Sequence, residues 1–159
     1  MHVHADEDPR RYDVDLSYNT EEHYQRSRQE ASHAEEARWN YAFWLQSGIA
    51  SLDQLDAVGR ELQTAWLNER GLNYTDAEEE SNFDYCMKLA DRIWDEFLEV
   101  CSSVGLRLHT SGIITQKFGR PIPIIIHDLE YYDKLTKFTL AANPPGVVDE
   151  FARWVDTLG

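Results

Sequence analysis

Apolar and polar side chains alternate along residues 12–18, near the start of the chain. The apolar positions are Tyr12, Val14, Leu16 and Tyr18, and the positions between them are Asp13, Asp15 and Ser17. Because successive side chains of a strand point to opposite faces, this pattern predicts a β-strand with one buried face and one hydrated acidic face. The polar residues 1–10 that precede the strand are expected to be flexible, as chain ends usually are.

The pattern then becomes helical. Residues 20–46 are predicted to form a first helix with a polar first half and an aromatic second half, ended by Gly48. A second helix is predicted to begin with a capping box at residues 51–54, where serine and glutamine side chains satisfy backbone donors, and to end at Gly71. Its buried face is expected to consist of Leu52, Leu55, Val58, Leu62 and Trp66.

The third predicted helix has the most regular apolar stripe in the chain. It begins with a second capping box, Thr75 to Glu78, and Gly105 is expected to end it. The stripe that should face the core consists of Phe83, Cys86, Ala90, Ile93, Phe97, Cys101 and Val104.

The C-terminal third is rich in β-branched residues between glycines and prolines, which predicts strands. The expected strands span residues 106–110, 113–118, 122–126 and 136–141. Pro121 and Pro123 cannot donate to a ladder, so the strand at 122–126 is expected to lie at an edge or to carry a bulge. A short helix is predicted to follow Pro144 and Pro145, with an inward face of Val147, Val148, Phe151, Val155 and Leu158.

This order of elements predicts an α+β fold. Three N-terminal helices after a short strand should pack on one face of a mostly antiparallel sheet of four to five strands, with a short C-terminal helix. The chain has 159 residues, the size of one domain, and no long linker divides it. We therefore expect a single α+β domain over residues 1–159.

The cysteines and the lack of a long apolar run indicate a cytoplasmic protein. Cys86 and Cys101 would lie about 22 Å apart on the third helix, whereas a disulfide needs Cα atoms within about 7 Å. Both fall on the apolar stripe, so we expect two buried, reduced thiols. No secretory signal or membrane-spanning stretch is recognisable.

The charge is large and unevenly distributed. Fifteen Lys and Arg residues against 29 Asp and Glu residues give a formal net charge of −14, all of it within residues 1–100. No segment supplies the basic stripe that neutralises phosphates, so direct binding of nucleic acid or of an anionic membrane is not expected. The natural complement of such a chain is a basic protein.

Carboxylates share one side of the third helix, because they recur at spacings of three, four and seven residues. Like charges at this spacing destabilise a helix slightly, which indicates a function for them. Rows of carboxylates one helical turn apart also approximate the phosphates of a nucleic-acid strand. The predicted partner-binding residues are Glu78, Glu79, Glu80, Asp84, Asp91, Asp95 and Glu99. The alternative is an ordinary hydrated face, interrupted by Lys88 and Arg92.

No residue is assigned a catalytic role, and no metal or cofactor is expected. The chain lacks a nucleophile elbow, a phosphate-binding glycine loop and a paired-cysteine motif. Glu30 and His33 have the Glu-x-x-His spacing of di-iron bundles, but the second motif that such sites require is missing. An enzyme with a dispersed site is an alternative, and it would use His109, His127, Asp128, Tyr131 and Tyr132.

Aromatic residues surround nearly all sides of the first predicted helix. Trp39, Phe43 and Trp44 are therefore expected to serve either the core or a contact between two copies in a homodimer.

Charge and missing motifs together favour a protein-binding inhibitor. It would mask a basic, nucleic-acid-binding partner, either as an immunity protein against a toxin such as a nuclease or as a phage protein that occupies a defence complex. This is an inference from charge and not from resemblance to a known family. The alternatives are the dispersed-site enzyme and a dimeric accessory subunit.

Overall fold

The computed structural model describes residues 1–5, 8–51, 57–128 and 133–158. Helices dominate these ranges, and the strands lie in the first third of the chain. The elements in order are β1 His2–Ala5, β2 Tyr12–Tyr18, α1 Glu21–Ser27, α2 Ala34–Trp39, a 3₁₀ turn Tyr41–Phe43, β3 Leu45–Ser51, α3 Ala57–Glu69, α4 Asp76–Ser81, α5 Phe83–Thr110, α6 Ile113–Phe118, α7 Asp133–Ala141 and α8 Asp149–Val155.

The predicted fold class is wrong. Within the described ranges the sheet has three antiparallel strands in the order β1-β2-β3, and no sheet of four to five strands supports three N-terminal helices. The strand predicted at residues 12–18 is confirmed as β2. Its polar face is less hydrated than expected, because Asp13 is only 9% exposed. β1 lies within the segment expected to be flexible and pairs with β2, so that Val3 faces Val14.

The strands predicted in the C-terminal third are helical or irregular. Residues 106–110 continue α5, residues 113–118 form α6, and residues 136–141 belong to α7. Residues 122–126 are extended but belong to no strand, and the next residue, His127, forms one isolated parallel bridge with His2.

Polar side chains from α7 and from the residues just after it explain why the apolar segment 122–126 needs no strand partner on the side that faces them. The Thr139 hydroxyl accepts a bond from the Ile126 N–H at 2.9 Å and donates to the Ile126 carbonyl at 3.0 Å. The Asn143 amide does the same for Ile124, at 2.9 and 2.7 Å. Buried backbone groups must be paired, and here polar side chains replace a ladder.

The first predicted helix is also wrong, because residues 20–46 are divided among α1, α2, the 3₁₀ turn and β3. The backbone of Asn40 is extended (φ −81°, ψ 120°), and its side chain caps the 3₁₀ turn through the Ala42 N–H. Gly48, expected as a helix stop, lies within β3. The intrinsic capping tendency of asparagine thus outweighs the helical spacing of the aromatic residues.

The predicted end of the second helix is confirmed. Gly71 has φ +64°, the Leu72 N–H donates to the Leu67 carbonyl, and the Gly71 N–H donates to the Asn68 carbonyl, which is a Schellman motif. The predicted buried face is wrong at two positions and right at Trp66, which is half-buried against the cluster of Leu67 and Ile93. Val58 and Leu62 are 61% and 66% exposed. Leu52, Leu55 and the capping box at residues 51–54 fall at least partly outside the described residues.

The third predicted helix is two helices. The capping box at Thr75 is confirmed at the start of α4, but Asn82 (φ −148°, ψ 60°) separates α4 from α5. Gly105 does not end α5. It is buried in the helix interior, where its missing side chain allows Ala142, the residue after the end of α7, to approach.

Three apolar clusters fill the interior. The first joins the β1-β2 pair to the C-terminal half of α5 and to α7, and includes Leu98 and Phe138. The second packs α3 on the N-terminal half of α5, through Leu67 and Ile93. The third holds the predicted C-terminal helix, confirmed as α8, and is centred on Phe151.

Candidate partner-binding surface

The capping box sets the direction in which the acidic residues of α4 point. The Thr75 hydroxyl accepts from the Glu78 N–H at 3.2 Å, and the Glu78 carboxylate accepts from the Thr75 N–H and hydroxyl at 2.8 Å each. Bonds from the Thr75 backbone and side chain hold the pKa of Glu78 below its ordinary value. Glu78 is therefore ionised and is used by the helix cap.

The buried side of α5 turns along its length. The N-terminal half buries Cys86, Leu89 and Ile93, whereas the C-terminal half buries Leu98, Cys101 and Gly105. At about 100° per residue these two sets lie on different sides of the helix. The side that carries Asp84 and Asp91 therefore faces solvent only along the N-terminal half.

The predicted partner-binding residues differ in how freely they are presented. Glu80, Asp84, Asp91 and Glu99 are exposed, Glu79 is half-buried, and none of these five forms an ion pair with another described residue. Asp95 is half-buried and paired with Lys134 of α7. The structure thus leaves five carboxylates available, and commits Glu78 and Asp95 to contacts inside the molecule.

Glu96 is an acidic residue of α5 that is not among the predicted partner-binding residues. Its carboxylate lies 2.9 Å from the Arg70 Nε and 3.6 Å from an Arg92 nitrogen, so it ties α3 to α5. The Arg70 guanidinium also lies over the Trp66 ring, 4.7 Å from its centre.

Large apolar side chains are exposed among the free carboxylates. Phe83, Tyr85 and Met87 are 59%, 54% and 39% exposed. The prediction that Phe83 belongs to the core stripe is wrong. Because the chain breaks at Asn82, α5 begins at Phe83, beyond the edge of the packed region. Such residues are enriched where proteins bind one another. We call the set Glu79, Glu80, Phe83, Asp84, Tyr85, Met87, Asp91 and Glu99 the acidic surface.

The electrostatic field of this region extends into the core. Residues 76–99 contain nine acidic and two basic residues, a net charge of −7. Burial, the Tyr74 hydroxyl and the charges of Asp91 and Asp95 raise the pKa of Tyr12. Burial, followed by Glu79 and Glu78, raises the pKa of Cys86. Cys86 and Cys101 are buried and unbonded, as predicted.

The histidines proposed for a dispersed enzyme site are buried and serve packing. His127 is 1% exposed, and its ring stacks on Tyr41 at 4.4 Å and on His2 at 5.1 Å. Its Nδ1–H donates to the Asp128 carbonyl at 3.1 Å. Burial lowers the pKa of His127 to about 3, with a further contribution from the chain's amino terminus. The imidazole is therefore neutral at physiological pH.

His109 lies elsewhere, 8% exposed and 3.2 Å from the Asn143 carboxamide oxygen. Three surface grooves of the described chain, which include Glu61, Asn73 and Glu36 in turn, contain neither His109 nor His127 nor Asp128. Tyr131 and Tyr132 fall outside the described residues.

The aromatic residues considered for a homodimer contact are largely internal. Trp39 and Trp44 are each 8% exposed and pack in the third cluster, while Phe43 is half-buried. The homodimer through these residues stays a prediction.

An open groove of about 1070 Å³ lies between α2 and α8, and sequence reasoning missed it. Its walls carry both signs of charge, with Glu35 and Glu150 opposite in charge to Arg38 and Arg153. This mixture favours no single class of ligand. Groups of three or more potential metal ligands do not occur among the described residues, and Glu30 and His33 are both exposed there.

Comparison with protein-family models, curated proteins and solved structures finds no match. Among the helices in the described ranges, none is both long enough and apolar enough to cross a membrane.

Proposed function

We propose that this protein binds a basic partner protein through the acidic surface and thereby masks it. The observation that carries the proposal is the exposure of Phe83, Tyr85 and Met87 among carboxylates that have no ion pair within the described chain. An ordinary hydrated face would need the charges but not the apolar side chains. An interface uses both.

The two kinds of residue have different tasks in such a complex. Exposed carboxylates steer a cationic partner and raise the association rate, because the local potential is negative over a wide area. Phe83 and Met87, one helical turn apart, would supply most of the affinity by filling apolar pockets of the partner.

The partner class follows from the chemistry of the surface. Asp84, Asp91 and Glu99 lie along about 22 Å of α5, so a groove that normally holds the phosphates of nucleic acid offers a matching row of Lys and Arg. We therefore propose a nuclease or another nucleic-acid-binding protein as the target. The protein would act as an immunity protein or as a phage anti-defence protein. Free Cys86 and Cys101 support a cytoplasmic location.

Charge reversal with a matched control tests the proposal. Asp84→Lys, Asp91→Lys and Glu99→Lys together change the net charge by six units. The control, Glu30→Lys, Glu61→Lys and Asp156→Lys, changes it equally at exposed sites that also have no ion pair within the described residues. Wild type and both variants are immobilised and exposed to a lysate of the source organism, and captured proteins are identified and then titrated individually.

The expected result is a basic protein held by the wild type and by the control but not by the acidic-surface variant. Its affinity should fall at least 100-fold in that variant and decline with added NaCl. Equal capture by both variants would show that only the overall charge matters, and the proposal would then be wrong.

The apolar anchors are tested separately by Phe83→Ala combined with Met87→Ala. Since both side chains are exposed, thermal stability should stay unchanged while the affinity for the captured partner falls at least tenfold. Val58→Ala with Leu62→Ala, exposed apolar residues on α3, is the control. An unchanged affinity in the Phe83/Met87 variant would remove these residues from the interface.

A further inference from the structure

The far end of α5 has the opposite character to the acidic surface. Residues 100–127 contain no acidic residue, although the chain as a whole carries a net charge of −14. Arg107, Lys117 and Arg120 are exposed there and form no ion pair with a described residue. Arg107 and Lys117 are therefore available to an external anionic group, whereas Arg120 contributes, after Gln25 and Arg38, to lowering the pKa of Glu21.

Apolar side chains accompany these cations. Leu106, Ile113 and Phe118 are 38%, 47% and 61% exposed. Ile113 and Phe118 are the two ends of the short helix α6, which is anchored to the molecule by the buried Ile114. We call the set Leu106, Arg107, Ile113, Lys117, Phe118 and Arg120 the basic end.

The N-terminal part of the acidic surface cannot reach the basic end of the same molecule. Asp84 and Arg107 are 23 residues apart on the same continuous helix, and at 1.5 Å per residue this separates them by about 35 Å. Each surface combines exposed aromatic or aliphatic side chains with unpaired charge, and the two signs are opposite. Asp84 and Asp91 can therefore meet the cations of the basic end only in a different molecule.

We propose that the basic end of one copy docks on the acidic surface of a second copy, giving head-to-tail association. Lys117 and Arg107 would pair with carboxylates such as Asp84 and Asp91, and Phe118 would pack against Phe83 and Met87. The contact is heterologous, because two different patches meet. One acidic surface and one basic end stay uncovered on the pair, so the association can continue into longer chains or close into a ring.

A second copy fits the basic end better than nucleic acid or a membrane does. The basic end has three cations, fewer than the roughly six to ten phosphates that a DNA-binding protein can contact, and the remaining charge of the molecule repels polyanions. The acidic surface instead supplies a limited number of carboxylates together with apolar area. Charges beyond about 8 Å are screened at physiological salt, so the local complementarity outweighs the repulsion between two negative molecules.

This inference rests on the same acidic surface as the proposed function, and it adds a mode of regulation. A copy docked on that surface would cover Phe83 and Met87, so a basic partner and a second copy must compete. The stored, self-associated form would release the acidic surface when the partner is present.

The test uses two complementary variants of the full chain. Variant one carries Asp84→Lys and Asp91→Lys, so its acidic surface is reversed and its basic end is intact. Variant two carries Arg107→Glu and Lys117→Glu, so its basic end is reversed and its acidic surface is intact. Sedimentation equilibrium at 10–200 μM and at 50 and 500 mM NaCl measures the mass of each protein alone and of their equimolar mixture.

Head-to-tail docking predicts a specific pattern. The wild type should show a mass that rises with concentration at 50 mM NaCl and returns toward the monomer at 500 mM NaCl. Each variant alone should be monomeric, with a Kd raised at least tenfold. The mixture should regain association, because the intact basic end of variant one meets the intact acidic surface of variant two and the two reversed patches also carry opposite charges.

Several outcomes would overturn the inference. A wild type that is monomeric at every concentration and salt would do so, and so would a mixture that behaves as the sum of its monomeric components. Persistent association of variant two alone would place the self-contact elsewhere, for example at Trp39, Phe43 and Trp44. Circular dichroism of each variant confirms folding, and a chain with all four substitutions should associate again because both charges are exchanged.

Partner capture separates this inference from the proposed function. Variant two should bind the basic partner at least as strongly as the wild type, because its acidic surface is uncovered. Variant one should lose the partner. Normal partner capture with no self-association leaves the proposed function intact and removes the head-to-tail contact. Self-association with no partner capture removes the proposed function and leaves the head-to-tail contact intact. Neither the wild type nor variant two is expected to bind anionic vesicles or oligonucleotides. Binding of the wild type to either would assign the basic end to that ligand instead.

Discussion

At the scale of single residues, Gly105 marks a place where backbone geometry leaves no room for a side chain. A Cβ added there would lie 2.9 Å from the Cβ of Ala142 and 3.2 Å from its carbonyl oxygen. Contact this close between α5 and the residue after α7 is available only to glycine, so the packing explains a residue that helix propensity disfavours.

We expect Gly105→Ala to lower the free energy of unfolding by about 1–2 kcal/mol, because overpacking costs about 1–3 kcal/mol and the better helix propensity of alanine returns part of it. Urea unfolding monitored by tryptophan fluorescence measures the change. Gly105→Ala combined with Ala142→Gly should recover part of the loss relative to Gly105→Ala alone. A single variant as stable as the wild type would contradict the packing argument.

His127 makes stability depend on pH. Its pKa is about 3 in the folded protein and about 6.5 when unfolded, so the unfolded chain binds the extra proton as the pH falls below 6.5. The part of the free energy of unfolding that depends on neutral His127 is fully present above pH 6.5. As the pH falls from 6.5 toward 3, this part is lost at about 1.4 kcal/mol per pH unit. Between pH 6.5 and pH 5 the wild type should therefore lose about 2 kcal/mol from this group.

The variant His127→Phe isolates that contribution. It should be less stable than the wild type at pH 7, since the bond to the Asp128 carbonyl is lost. Its unfolding free energy should nevertheless decline less steeply between pH 6.5 and pH 5. The buried amino terminus, with a pKa lowered to about 5, titrates in both proteins and cancels in the comparison. Parallel pH profiles for the two proteins would show that His127 does not titrate as proposed.

At the scale of elements, sequence signals confined to one or two helical turns correctly predicted where α4 begins and where α3 ends. The capping box of α4 and the glycine stop of α3 depend only on residues within about six positions of one another. Backbone groups at a helix end are satisfied by these neighbours whatever the rest of the chain does.

Replacing Gly71 by alanine should cost about 1 kcal/mol, because a residue with a Cβ is strained in the left-handed region. No atom lies within 4 Å of the added Cβ, so the loss would be conformational and not steric. Gly71→Asn should cost less, since asparagine tolerates this conformation. Thermal unfolding of both variants measures the difference, and equal losses would contradict a conformational origin.

At the scale of the whole molecule, the net charge of −14 opposes compactness. Screening should relieve this repulsion, so the Tm of the dilute wild type should rise by a few degrees between 20 and 300 mM NaCl. Asp84→Asn, Asp91→Asn and Glu99→Gln together should raise the Tm at low salt and reduce the salt effect. Calorimetry at both salt concentrations makes the comparison.

Glu96→Gln is the matched control, because Glu96 is paired with Arg70 and Arg92. Removing a paired carboxylate should lower the Tm at low salt, while removing unpaired ones should not. A Tm that falls in both variants would mean that the carboxylates of the acidic surface stabilise the molecule through contacts of their own.

The candidate surface was only partly predictable from spacing. The seven carboxylates lie on two helices and not on the single helix that their spacing predicted. Spacing also cannot show that Asp95 pairs with Lys134 or that Phe83 is exposed. Both facts depend on α7 and on the break at Asn82. The basic end could be recognised as a segment without acids, yet its exposure and its distance from the acidic surface follow from the length of α5.

The sequence by itself determined the strand β2, the cap of α4, the end of α3, the short C-terminal helix, the two buried free cysteines and the concentration of negative charge in the first 100 residues. Each of these depends on neighbours along the chain or on composition. Only the tertiary structure decided that residues 106–110, 113–118 and 136–141 are helical and that residues 122–126 form no strand. The physical reason is that Thr139 and Asn143 pair the backbone of Ile126 and Ile124, and that Gly105 admits Ala142 just after α7. These contacts between distant residues outweigh the local preference of β-branched side chains for strands.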